Sequence, residues 1–174
     1  MSKHERKKPG ALAISNWLFI KDEYVDNLVK SNIKNTKAVV VGSKALNKQV
    51  GGLYAKPTDD IDIVTKNALK QAKKLENQID NRYRSDMVDI HPAEHPGTFR
   101  ILSNYGVKDV ADFTIPTRKI KSVKIKGVKY QSLNDIIKDR EKILRDPQSK
   151  YRHDKDRMTI AKIKAYQKSI KKRM

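Results

Sequence analysis

Cysteine is absent from this 174-residue chain. A disulfide framework and any thiolate-ligated metal or redox centre are therefore excluded. Long apolar runs are also missing. No stretch approaches the roughly 20 residues that cross a bilayer. The basic opening Met1-Ser-Lys-His-Glu-Arg-Lys-Lys-Pro-Gly10 leads into no signal-peptide apolar region. The expectation is a soluble, cytoplasmic protein with no membrane partner. Aromatic residues make up 6% of the chain, so Trp17 and the scattered tyrosines are expected mainly in the core or at its rim. Hydrophobic residues, at 37%, are scarce too, but they fall in short periodic runs that suffice for one folded domain.

Positive charge is abundant and unevenly placed. The formal net charge is +19. Residues 1–114 hold 19 Lys+Arg against 14 Asp+Glu, or +5, while residues 115–174 hold 20 against 6, or +14. A solvated lysine-rich surface would account for the total. The asymmetry favours a side that faces a polyanion, with nucleic acid the first candidate.

The order of elements reads as α+β: a mixed sheet with flanking helices, then a C-terminal helical pair. Residues 1–10 read as a disordered basic arm, 11–130 as the core and 131–174 as a basic helical segment. Ser15 or Asn16 is placed to cap a helix with Leu18, Phe19, Val25, Leu28 and Val29 on its apolar face. Lys37–Val41 reads as a buried strand, Ser43–Gln49 as a short helix ended by Gly51-Gly52, Pro57-Thr58 as a turn and Asp60–Val64 as a strand. A helix is expected over Lys66–Ile79 with Leu69, Ala72, Leu75 and Ile79 on one face. Further strands are expected at Asp86–Ile90, stopped by Pro92, at Phe99–Leu102 and at Val110–Phe113. A hairpin follows over Ile120–Tyr130, turning at Gly127. Ser132 should cap a helix to about Leu144, Asp146-Pro147 should break it, and a last helix should run from about Arg152 to Ile170.

The chemistry concentrates in Asp59-Asp60-Ile61-Asp62-Ile63. Alternation on a strand sends Asp60 and Asp62 to one face and Ile61 and Ile63 to the other. The two carboxylates then start roughly 6.5–7 Å apart at the backbone and can converge on a hard, oxygen-seeking cation such as Mg²⁺ or Mn²⁺. Taken alone, the pair is also what an exposed acidic edge strand looks like. The preceding run Val39-Val40-Val41-Gly42-Ser43 sharpens the reading: a strand enters Gly-Ser and then a helix. Glycine allows close backbone approach to a phosphate, and helix-start N–H groups with a Ser hydroxyl bind phosphate oxygens.

An apolar strand, Gly-Ser, a short helix and then Asp-x-Asp between apolar residues resembles the nucleotidyltransferase superfamily, which has the polymerase-β-like fold. Sixteen residues separate Ser43 from Asp60. With Gly42-Ser43-Lys44-Ala45-Leu46, this is similar to the abortive-infection and toxin–antitoxin-linked branch. The resemblance implies a metal-dependent transfer of a nucleoside monophosphate from a nucleoside triphosphate (ATP among them) to an acceptor hydroxyl. It implies that Asp60 and Asp62 hold Mg²⁺ or Mn²⁺ together with a third carboxylate, and that Gly42, Ser43 and Lys44 contact the nucleotide. The third carboxylate is Asp112, in Val110-Ala-Asp-Phe113, or Asp89, in Met87-Val-Asp-Ile90; Asp112 is preferred because a hairpin and helix follow it. Arg152-His-Asp-Lys155-Asp156 resembles that branch's Arg-x-x-Lys-Asp segment, which implies nucleotide contact by Lys155, oriented by Asp156. The basic C-terminal third points to an RNA acceptor, tRNA-like in kind, and the branch to an antitoxin or regulatory partner. Two other readings stand beside this one: a catalytically inactive nucleic-acid-binding protein on the same fold, and transfer to a protein or small molecule.

His91-Pro-Ala-Glu94-His95 matches H-x-x-E-H, a zinc-protease pattern that requires a helix. Pro92, Pro96 and Gly97 argue against one, so a loop near the nucleotide site is expected instead.

Overall fold

The computed structural model describes residues 22–51, 60–103 and 109–173. The expectations for the arm at 1–10, the Ser15 or Asn16 cap, Trp17, Leu18 and Phe19, Gly52 and the Pro57-Thr58 turn lie outside these residues.

Among the described residues the sequence order produces a seven-stranded mixed sheet with helices packed around it. The first described helix, α1 (Asp22–Ile33), leads to β1 (Val39–Val40), α2 (Gly42–Val50) and β2 (Ile61–Val64). Then come α3 (Ala68–Tyr83), β3 (Val88–Pro92), β4 (Thr98–Ser103), β5 (Asp109–Thr114), β6 (Ser122–Ile125) and β7 (Val128–Gln131). The chain closes with α4 (Leu133–Leu144), a 3₁₀ turn (Pro147–Arg152) and α5 (His153–Lys171). The strands lie in the order β3-β4-β5-β2-β1-β7-β6. β2 runs parallel to β5 and β1 parallel to β7, and the other neighbours are antiparallel.

Ile61 and Ile63 are buried on one face of β2, where α1 contributes Val25, Val29 and Ile33 and α3 contributes Ala68, Ala72, Leu75 and Ile79 to the same core. Ile136 and Ile137 of α4 and Ile160 and Ile163 of α5 join that cluster. Removing this apolar surface from water is the main force that fixes the strands' facing. The second face of β2 and β5 carries Asp62 and Val64 from one strand and Asp112 and Thr114 from the other.

Several boundaries differ from the sequence expectation, each for a local reason. β1 is only two residues long, although the Val41 N–H still donates to the Asp62 carbonyl at 2.9 Å. The strand stops there because Gly42 takes φ +65° and starts α2. The buried stripe of α3 begins at Ala68, and Leu69 is 40% exposed. A one-residue step turns a side chain by about 100° on a helix, enough to carry Leu69 off the core face. Pro92 does not stop β3 but is its last residue. β3 is an edge strand, so the missing N–H leaves no ladder partner unsatisfied.

Other local signals act as read. Lys126 (φ 49°) and Gly127 (φ 86°) turn the β6–β7 hairpin. Ser132 caps α4 by accepting from the Asp135 N–H at 3.3 Å. Ser132→Ala is expected to lower stability by about 1 kcal/mol in a denaturant titration with an unchanged m-value. Asp146 caps the 3₁₀ turn after α4, accepting from the Gln148 N–H at 3.1 Å.

Candidate active site

Burial of Ile61 and Ile63 forces Asp62 onto the opposite face of β2, with Asp60 two residues earlier at the strand's entry. Parallel pairing with β5 then sets Asp62 directly beside Asp112, because Ile61 meets Ala111 and Ile63 meets Phe113. Neighbouring strands lie about 4.8 Å apart, so these two aspartates start as close as two strand residues can. The charges of Asp60 and Asp112 both act on Asp62. The Asp62 carboxyl is pushed from 3.8 up to about 6, first by burial, then by the charges of Asp60 and Asp112, while Arg140 and Arg100 pull the other way.

Gly42 bounds this cluster on a second side. A Cβ at Gly42 would sit 2.7 Å from Asp62 Oδ2, inside contact distance. The first residue of α2 is thus packed against the carboxylate, and only glycine fits both the left-handed φ and the space. No side chain caps α2. Its N-terminal N–H groups, including that of Ser43, are at the carboxylate end of the sheet. The Gly42 N–H itself points to Gln131 Oε1 at 3.4 Å.

β4 adds a residue that sequence reasoning missed. Arg100 pairs across the ladder with Asp112. Its Nε donates to Asp112 Oδ1 at 3.1 Å and its Nη2 to Oδ2 at 3.3 Å. Charge-assisted and two-pronged, this contact raises the Arg100 pKa. Among the described residues no three His, Asp or Glu side chains stand together as a formed metal cage. Asp112 instead directs both oxygens to Arg100. Nothing in the local sequence around Arg100 announces this pair, which exists only through the β4–β5 register.

A cleft of about 410 Å³ is lined by Val64 and Thr114, which follow Asp62 and Asp112 along their strands; the three aspartates are not themselves among its lining residues. Gly42, Gln131, Arg118 and Arg140 also line it. Arg118, Gln131 and Asp139 of its lining belong to a polar network centred on Asp135. Gln131 Nε2 donates to Asp135 Oδ2 at 3.1 Å and to Asp139 Oδ2 at 2.6 Å. Arg118 donates to Asp135 Oδ1 at 3.1 Å and Oδ2 at 2.8 Å. The Asp135 carboxyl is held below its ordinary range by bonds from Arg118 and Gln131 that outweigh its burial.

The remaining residues singled out from the sequence are not brought to this cluster. Asp89 lies on edge strand β3, three strands or roughly 14 Å of sheet away from β2. Of the two candidates for the third carboxylate, it is therefore Asp112 that stands beside Asp62. Lys44 turns to the core side of the sheet, where its Nζ meets Asp26 Oδ2 at 3.2 Å beside Ile61 and Tyr130. Lys155 is exposed on α5. Asp156, expected to orient it, is fully buried and holds Arg140 and Arg152 instead. His91, Glu94 and His95 fall on the end of β3 and the turn into β4, where Ala93 N–H donates to Thr98 O at 3.0 Å. That extended path removes the helix a zinc-protease pattern requires.

Comparison with solved structures bears on the whole arrangement. The Megavirus polyadenylate synthase superposes with a TM-score of 0.69 at 21% identity, over 82% of this chain and 30% of that one. The chain has a nucleotidyltransferase-like fold. It spans less than a third of the synthase's length, so the likeness concerns the core architecture alone. Looser matches are a tRNA nucleotidyltransferase complexed with a primer tRNA and an incoming ATP analogue (TM-score 0.35, 23% identity, 65% of this chain and 27% of that one) and JHP933 from Helicobacter pylori (TM-score 0.41, 11% identity, 94% and 95%). No protein-family model matches the sequence, and no curated protein does. Among the described residues of this nucleotidyltransferase-like fold, no helix is long and apolar enough to cross a membrane.

Proposed function

We propose that the chain is a metal-dependent nucleotidyltransferase that moves a nucleoside monophosphate from a nucleoside triphosphate to an acceptor hydroxyl. The observation that carries this is the pairing of Asp62 with Asp112 on parallel strands, with Asp60 near enough for its charge to act on Asp62 and the Gly42 start of α2 packed against Asp62. The raised Asp62 pKa supports a cation there. The buried Asp62 carboxyl, with the charges of Asp60 and Asp112 acting on it, belongs to an all-oxygen donor set that a hard divalent ion would stabilise. Asp60, Asp62 and Asp112 would hold Mg²⁺ or Mn²⁺. Bound there, such an ion supplies charge neutralisation and a lowered pKa for the acceptor hydroxyl.

The protein's own groups then divide the work. The N–H groups at the start of α2, with Ser43, bind phosphate oxygens in the direction of the helix dipole. The cleft beside them receives the nucleotide. In-line attack by the acceptor oxygen on the α-phosphorus forms one P–O bond and breaks the bond to pyrophosphate, which leaves. Positioning and electrostatics supply most of the acceleration in such a step.

The +14 balance of residues 115–174 supports an RNA acceptor, tRNA-like in kind. The Gly42–Leu46 run supports the toxin–antitoxin-linked branch, and with it an antitoxin or regulatory partner. The test is incubation with each α-labelled nucleoside triphosphate, Mg²⁺ and total RNA, resolved on a gel that separates RNA from protein. Label in the RNA band, lost on chelation, is the expected result. Label on protein would redirect the acceptor assignment. Salt-sensitive RNA binding with no label in any lane would overturn catalysis and leave a nucleic-acid-binding protein on the same fold.

A further inference from the structure

Asp156 is completely buried near the start of α5, yet carries an ionisable carboxylate. Both its oxygens are taken by arginines, one from α4 and one four residues before it. Arg140 Nη1 of α4 donates to Oδ1 at 2.7 Å, and Arg152 Nε of the 3₁₀ turn donates to Oδ2 at 3.0 Å. Burying an ion pair is a poor way to gain stability, since well-packed apolar side chains serve as well. The arrangement is better explained by what it does to Arg140.

Arg140 is one of the cleft's lining residues, as is Gly42, and its side chain is 14% exposed. The bond to Asp156 occupies one N–H of a guanidinium that carries five in a rigid plane. A planar donor fixed at one corner presents its other edge in a fixed direction, which is the arrangement suited to phosphate oxygens. α5 is itself tied back to α2, where the Tyr166 hydroxyl donates to the Gln49 carbonyl at 2.9 Å. The base of this Arg140 support and the phosphate-facing helix are thus braced together.

We propose that Arg140 binds the triphosphate of the nucleotide substrate and that Asp156 is the positioning residue that holds its guanidinium in the cleft. The assignment rests on the nucleotidyltransferase reading, and its test reads anion binding so that the two can fail separately. Binding of inorganic tripolyphosphate to the full chain is measured by calorimetry for the native protein, Arg140→Gln, Asp156→Asn and the double variant. Arg157→Gln, on the same helix as Asp156 but paired with the exposed Asp154, controls for loss of one positive charge. Arg140→Gln is expected to weaken binding roughly ten- to hundred-fold, the range of a lost charge-assisted contact. Arg157→Gln should weaken it less than about two- to three-fold, the effect of a remote screened charge.

If Asp156 acts through Arg140, the double variant binds no more weakly than Arg140→Gln alone. Additive losses would assign Asp156 a structural role and overturn the positioning claim. Arg140→Lys, which keeps the charge, should recover part of the affinity. Should Asp156→Asn fail to fold by circular dichroism, Arg140→Gln still decides, because Asp156 then retains Arg152. Native-like binding by Arg140→Gln would overturn the proposal outright. Arg140-dependent binding without label transfer by the native protein would leave this anion site standing and remove the transferase reading.

Discussion

Asp62→Asn is expected to lower nucleotide transfer by about a thousand-fold or more and, in the same protein, to raise its melting temperature in the presence of a chelator. The loss follows from the position of Asp62 between Asp60 and Asp112. An amide there removes a charge from the proposed cation site, and about 4 kcal/mol of lost transition-state stabilisation is a thousand-fold in rate. The gain follows from linkage. In the folded protein the carboxyl titrates at about 6 rather than 3.8, so the folded state binds this proton more tightly than the unfolded chain does. The contribution of Asp62 to stability is therefore most favourable below about pH 4, declines as pH rises through 6 and is constant above that. Ionising the buried carboxyl costs the folded state up to about 3 kcal/mol at pH 8. Asparagine avoids that cost. Thermal melts of both proteins in chelator should separate by several degrees at pH 8 and converge near pH 4. Equal melting temperatures at pH 8 would sink the electrostatic account of the site, and undiminished transfer would sink its catalytic assignment.

Gly42→Ala is expected to reduce transfer by about a hundred-fold and to lower stability modestly, whereas Asp62→Asn raises it. Two penalties arise at this position. A methyl at φ +65° costs roughly 1–2 kcal/mol through its clash with the backbone. The same methyl would sit 2.7 Å from Asp62 Oδ2. The carboxylate can rotate away, so the fold survives, but its oxygen is then displaced from the cluster. A displacement of about 1 Å at a reacting centre is enough for a hundred-fold loss. Adding Gly42→Ala to a protein already carrying Asp62→Ala removes the second penalty. The further loss of stability should then shrink to the backbone clash alone, read as the difference between two denaturant midpoints. If alanine at 42 cost as much stability with Asp62 as without it and left transfer intact, the close approach would have no role in the site.

Both predictions concern one strand and the turn before it, and that part of the site was legible locally. Ile61 and Ile63 alternate with Asp60 and Asp62, so burying the isoleucines forces the aspartates to the other face. Gly42 after three valines marks where a strand must turn sharply. Arg100 and Arg140 carried no such signal. Each is an arginine in a basic chain, and each becomes part of the site through a partner 12 or 16 residues away, Asp112 or Asp156. Lys44 shows the converse. It directly follows Gly42-Ser43, but a helix turns each successive side chain by about 100°, and Lys44 ends beside Asp26 on the core side of the sheet.

The sequence by itself determined the α+β order of elements, the strand carrying Asp60 and Asp62, the hairpin turn at Lys126-Gly127 and the Ser132 cap, because each depends on neighbours within a few residues. Only the tertiary structure set Asp112, and not Asp89, beside Asp62. Both sit on strands between apolar residues, and their local patterns are nearly alike. What separates them is strand order, since β5 pairs with β2 while β3 lies at the sheet's edge. Strand order is set by burying the whole core at once, with α1 and α3 against Ile61, Ile63 and Phe113. That is a non-local sum over the chain, and no short window of residues contains it.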